Sequence, residues 1–248
     1  MRTVKMHVKP DELHQFKSTY ENSILPAFAV TKGCRYGALL QSTHNPEDCI
    51  SLTFWTGERE AHDFEQSGEY DRLVKILSPH FSESSEPQIR LTKDLKLEYT
   101  SSTDEPEVRK FEVASPHENP RGEIFLRMVS LKFRTEKVNE FKKHYTEKVI
   151  PVLRKVQGCR RAFIAAPADN PNELISVTEW ESERAAQAYE HGGQFDALLE
   201  SQRHFLSGLS DWGMGRQKES KSKVATSDDV TVDHYVMLVG RSYTQSKE

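Results

Sequence analysis

Phe16-Lys17-Ser18-Thr19-Tyr20-Glu21-Asn22-Ser23-Ile24-Leu25-Pro26, followed by Gly33-Cys34-Arg35, returns later in the chain. The second version is Phe141-Lys142-Lys143-His144-Tyr145-Thr146-Glu147-Lys148-Val149-Ile150-Pro151, followed by Gly158-Cys159-Arg160. The offset is a constant 125, and it holds without a gap from Phe16–Phe81 to Phe141–Leu206. Further along the same register lie Asn45-Pro46 and Asn170-Pro171, Ile50-Ser51 and Ile175-Ser176, and Thr53 and Thr178. Trp55 and Trp180, Glu58-Arg59 and Glu183-Arg184, Gly68 and Gly193, and Asp71 and Asp196 complete the set. Self-similarity at a fixed spacing signals duplication of one structural unit. A chain of 248 residues has room for two such units, each able to bury a core.

Both copies read alike. A β-rich stretch, 2–8 or 124–133, precedes an amphipathic helix. Its apolar residues Leu13, Phe16, Tyr20 and Ile24, or Val138, Phe141, Tyr145 and Val149, recur at helical spacing. Gly33 or Gly158 ends it. Two strands follow, near 34–41 and 49–55 in the first copy, joined through Asn45-Pro46. A second helix begins after Trp55 or Trp180, with Gly57 or Ser182 as cap and Glu58 or Glu183 favouring its positive end. Gly68 and Gly193 predict that this helix kinks or restarts. A last strand, near 88–99 or at 209–217, closes each unit as a ferredoxin-like βαββαβ fold.

Between the copies, 100–121 is rich in Ser, Glu and Pro and reads as a linker. The expected organisation is a first domain at 1–99, a linker at 100–121, and a second domain with a C-terminal extension at 122–248. Within that extension 216–229 is polar, and Val230–Val239 regains strand character, so the chain end is expected to return to a sheet. Strand alternation places Ile50, Leu52 and Phe54 on one face and Ser51, Thr53 and Trp55 on the other, and helices cover only one face of each sheet. The expected fold class is therefore α+β: two ferredoxin-like units packed sheet to sheet, an intramolecular pseudo-dimer. Further homo-oligomerisation through edge strands is left open.

The remaining composition mainly excludes. Net charge is −4, from 34 basic and 38 acidic residues spread along the chain, which disfavours nucleic acid and anionic membranes as partners. Apolar runs are too short to span a bilayer, and the N-terminus lacks a signal-peptide centre, so the expected location is the cytoplasm. Cys34, Cys49 and Cys159 match no Cys-x-x-Cys spacing and are expected as reduced thiols, with no metal site. No Gly-rich phosphate loop, Gly-x-Ser-x-Gly elbow or His-Glu-x-x-His pair is present.

The Gly-Cys-Arg helix exit, the Asn-Pro turn, the Ser-x-Thr-x-Trp strand and the Gly-interrupted second helix together resemble the antibiotic biosynthesis monooxygenase family of the dimeric α+β barrel superfamily. The resemblance covers both repeats. It implies a cofactor-independent monooxygenase acting on a small aromatic or quinol-type compound. A non-catalytic small-molecule-binding or structural module is the alternative, and a heme-binding or heme-degrading protein a second one. Heme-degrading members carry an Asn on the first strand and a Trp and a His ten residues apart on the second helix. Here those helix positions hold Phe64 and Val74, or Tyr189 and Leu199, and neither first strand has an Asn. His62, His80, His191 and His204, on or beside the second helices, are the candidates for an axial ligand.

Cofactor-free oxygenation requires only that an electron-rich phenol be held dry, oriented toward oxygen, and helped to lose a proton. The expected space lies between each sheet and its helices. Trp55 and Trp180 are candidates to stack on an aromatic ligand, Tyr20 and Tyr145 to donate hydrogen bonds, and Phe64 and Tyr189 to close the wall. No cofactor is expected, and no catalytic base recurs in both copies. Four of these positions also read as core: Tyr20 and Tyr145 fall in the apolar stripe of the first helix, and Trp55 and Trp180 anchor a strand-to-helix turn.

Overall fold

The structure, a computed structural model, describes residues 1–82, 88–91, 97–100, 105–113, 122–133, 135–205 and 230–243. The chain divides into two compact units. One comprises Arg2–Val108 with Leu238–Glu248, the other Met1 with Arg109–Met237.

In the first unit, β1 (Arg2–His7) and β2 (Cys34–Ser42) both pair antiparallel with β3 (Asp48–Trp55). The first helix is not one continuous α-helix. It runs as α1 (Leu13–Thr19), a π-helical turn (Tyr20–Ile24) and α2 (Leu25–Val30). The second copy repeats this as α5 (Val138–His144), a π turn (Tyr145–Val149) and α6 (Ile150–Leu153). Pro26 and Pro151 supply the reason. Proline has no N–H for the i−4 carbonyl and its ring collides with it, and one wider turn ahead of the ring absorbs the conflict. The amides of Leu25 and Ile150 accordingly donate to the carbonyls of Tyr20 and Tyr145, five residues back.

The second helix restarts as expected: α3 (Glu58–Gln66) and α4 (Glu69–Leu77) meet at Gly68, whose φ is +74°. Their counterparts α7 (Glu183–His191) and α8 (Gln194–Gln202) meet at Gly193, with φ +77°. Ser182 caps α7 by accepting the Ala185 amide at 3.2 Å. The expected closing strand near 88–99 is instead two short strands, β4 (Gln88–Leu91) and β5 (Leu97–Thr100), that form a sheet of their own.

In the second unit the strand order is β10-β7-β9-β8-β6. The strands are β6 (Glu107–Val113), β7 (Phe125–Lys132), β8 (Cys159–Pro167), β9 (Glu173–Trp180) and β10 (Val230–Ser242). The run β10-β7-β9-β8 is the fourth-first-third-second order of a ferredoxin-like unit. The place beside β7 is taken by the returning chain end, with Val230 opposite Leu131 and Val236 opposite Phe125. The strand expected at 209–217 lies outside the described residues. Strand β6 falls inside the stretch read as a linker; Ala168 N–H donates to its Lys110 carbonyl at 2.9 Å, and its Phe111 N–H to the Met1 carbonyl at 2.9 Å. Its local pattern is weak because only Phe111 is buried, and distant backbone partners hold it in place.

Each sheet packs its helix-facing side into one core. Phe16, Tyr20, Phe28, Trp55, Phe64 and Leu73 cluster in the first unit; Phe141, Tyr145, Val149, Trp180, Tyr189 and Leu199 cluster in the second. The opposite strand face has diverged. Tyr36 and Phe54, an aromatic pair at 5.9 Å, correspond to Arg161 and Glu179, an ion pair at 2.6 Å. The fold class is thus α+β, with the ferredoxin-like framework present twice.

Candidate functional site

A cavity of about 30 Å³ opens in the second unit between the sheet and its helices. Strands β7 and β9 floor it with Arg127, Val129, Leu131, Ser176 and Thr178, and Tyr145, Tyr189, Phe195, Leu199 and Gln202 are among the helix residues above. That volume holds one water molecule and is far below the several hundred Å³ typical of a small-molecule pocket.

Of the six residues singled out from the sequence, Tyr145 and Tyr189 line this cavity. Trp180 is fully buried behind it, stacked on Tyr189 at 5.2 Å between ring centroids. Its indole N–H donates to Thr178 Oγ1 at 2.8 Å. The first-copy trio keeps the same relations: Trp55 lies 5.1 Å from Phe64 and donates to Thr53 Oγ1 at 2.9 Å, and Tyr20 is wholly buried. The Tyr20 hydroxyl meets Ser51 Oγ at 2.6 Å and donates to the Ala38 carbonyl; Tyr145 makes the same hydroxyl pair with Ser176. Burial pushes the Tyr145 hydroxyl up to about 12 and raises Tyr189 as well, so both stay protonated donors at neutral pH.

The central residue of this site is one the sequence reading passed over. Arg127, on β7, is 2% exposed, and its Nε donates to Glu190 of α7. Its guanidinium sits 4.2 Å from the Phe195 ring and 5.7 Å from that of Tyr189. From β10, His234 Nε2 lies 2.8 Å from Glu190 Oε1, with the imidazole as donor to the carboxylate. Burial pushes the Glu190 carboxyl up, but its bond with His234 and the Arg127 charge outweigh this and hold it below the ordinary value. The first unit repeats the pair at the same offset: Arg2 Nε donates to Glu65 at 2.9 Å, with the Tyr70 ring 4.5 Å from the guanidinium. The signal was present in the sequence, since Arg2 and Arg127, and Glu65 and Glu190, are 125 apart; a pair split between a strand and a helix forms no local motif.

The copies differ around this shared core. Tyr189 and Gln202 line the cavity where the first copy has Phe64 and Leu77. Tyr189 and Leu199 also occupy the positions of the heme-branch Trp and His, and no histidine is among the described lining residues. His80 is engaged elsewhere, 2.9 Å from Glu12 and 3.2 Å from Thr19. The recurring Cys34 and Cys159 are free thiols, pushed by burial up to about 12 and about 11, which suits packing rather than nucleophilic chemistry.

The family model for antibiotic biosynthesis monooxygenase matches residues 124–201. The second repeat therefore matches the model of an antibiotic biosynthesis monooxygenase domain. A provisionally named monooxygenase of Fusobacterium nucleatum shares the fold with a TM-score of 0.64 at 8% identity, over 97% of this chain and 93% of that one. Another from Lactobacillus acidophilus gives 0.61 at 9% identity, covering 97% and 94%. An anthrone oxidase-like protein gives 0.59 at 11% identity, covering 98% and 93%. At these identities the likeness carries the fold alone, and the coverage extends it to both repeats. No curated protein matches the chain. No helix among the described residues is long and apolar enough to cross a membrane.

Proposed function

We propose that the protein is a cofactor-independent monooxygenase for a small aromatic or quinol-type compound, with its ligand site in the second unit. The observation that carries this reading is the cavity itself: a family domain places Tyr145, Tyr189 and Arg127 around one internal space. There the chain would exclude water, hold the ring against Tyr189 backed by Trp180, and use the Arg127 charge to favour loss of the phenol proton. An aromatic ring exceeds the present cavity, so its entry requires lining side chains to move. Tyr20, Trp55 and Phe64 serve in this reading as the packed scaffold of the first unit, where Phe64 and Leu77 stand in place of the second unit's hydroxyl and amide.

Oxygen uptake with a panel of quinols and polyphenols tests the proposal. Turnover that falls at least tenfold in Tyr189→Phe or Tyr145→Phe is the expected result. Absence of both turnover and binding across the panel overturns it in favour of a structural module.

A further inference from the structure

We propose that Arg127 is the ligand-recognition residue of the second unit: its Nη2 donates to an acceptor oxygen, carbonyl or phenolate, of the bound molecule, and His234 positions it through Glu190. The inference rests on the cavity being a ligand site.

Three observations lead to it. The Nη2 atom of Arg127 is buried without a hydrogen-bond partner, and Arg127 lines a cavity with room for one oxygen atom. A buried donor on a charged group is costly to leave unpaired, which makes that space the place where an acceptor gains most. Next, no carboxylate is among the described lining residues, and burial keeps Tyr145 and Tyr189 protonated. Among the described lining residues Arg127 is the side chain whose polar atoms donate without accepting, so the group it selects is an acceptor. Finally, the acid that neutralises Arg127 is engaged from behind. Glu190 takes the Nε edge of the guanidinium while His234 holds the same carboxylate oxygen from β10, whose residues 230–236 pair with β7, the strand bearing Arg127. Glu190 is thus kept on the Nε edge, and Nη2 is left to the ligand.

The comparison of 1-tetralone with tetralin, which differ by one carbonyl oxygen, tests this by calorimetric titration of the full chain. An extra hydrogen bond from a charged donor predicts that the ketone binds about tenfold to a hundredfold more tightly. That preference is expected to vanish in R127M/E190M, which removes the ion pair as a unit and so avoids an unpaired buried charge. The matching R2M/E65M in the first unit is expected to leave it unchanged. His234→Ala is expected to reduce the preference severalfold, and His234→Gln, which retains a donor, to restore it; a merely structural role would give no such rescue. If both compounds bind and the preference survives R127M/E190M, the inference fails while the cavity reading stands. If neither compound binds, both fail.

Discussion

Glu190→Gln removes the counter-charge of Arg127 and keeps its shape. The two side chains are 2% and 5% exposed, so the guanidinium is left charged in a site with room for little water. Breaking a buried pair by removing one partner costs about 3–5 kcal/mol, whereas replacing both by apolar residues is roughly neutral or stabilising. Glu190→Gln is thus expected to lose about 3–5 kcal/mol and R127M/E190M to stay within about 1 kcal/mol of the parent. Glu65→Gln in the first unit should lose less, because Glu65 is 16% exposed and water shares its charge. Equilibrium urea unfolding is the assay, in a W55F/W212F background where emission reports on Trp180, stacked against the Tyr189 ring beside Arg127. A loss below about 1 kcal/mol for Glu190→Gln, or a double variant as unstable as the single one, would refute the reasoning.

Other outcomes follow from the same geometry. Gly158 and Gly193 share a positive φ, but a Cβ on Gly158 would lie 2.5 Å from Ala185 Cβ, while Gly193 has open space. Gly193→Ala should cost about 1–2 kcal/mol from backbone strain alone, and Gly158→Ala clearly more, in parallel thermal melts. The carboxyls of Glu173 and Glu190 are held below 4.5 despite burial, by bonds from Arg109 and Ser130 and from His234 and Arg127 respectively. Their stabilisation is present in full above about pH 4.5 and lost as pH falls through the lowered folded values, so Glu173→Gln should flatten the acid limb of a stability-pH curve. Transplanting the first copy's pair as R161Y/E179F should leave urea stability equal or higher, with Glu179→Phe alone the less stable of the two.

Much of the framework was legible because it is local or repeated. Phe16, Tyr20 and Ile24 betray a helix face within two turns, Gly33 marks the end of that helix and Gly68 the restart of the second, and Trp55 ends a strand whose alternation is visible in eight residues. The π turn was less legible: it needs Pro26 to be read as an interior helix residue, where the usual expectation is a break. Of the cavity lining, the sequence reading named Tyr145 and Tyr189 but not Arg127, because nothing beside Arg127 announces Glu190 or His234. Those partners lie 63 and 107 residues further on in the chain.

The sequence by itself determined the duplication, the α+β class, and the strand-helix-strand-strand-helix order that opens each copy. All of these follow from short-range periodicity and a constant offset. Tertiary structure alone decided that the second copy holds a cavity, that residues 230–236 close the second sheet, and that the chain end joins the first unit, where the Tyr243 hydroxyl donates to the Leu25 carbonyl at 2.9 Å. The physical reason is that a strand's place in a sheet is set by backbone hydrogen bonds to whichever edge is open, and backbone groups carry no sequence label. A cavity is likewise the small residue of many packed volumes, and no single side chain specifies it.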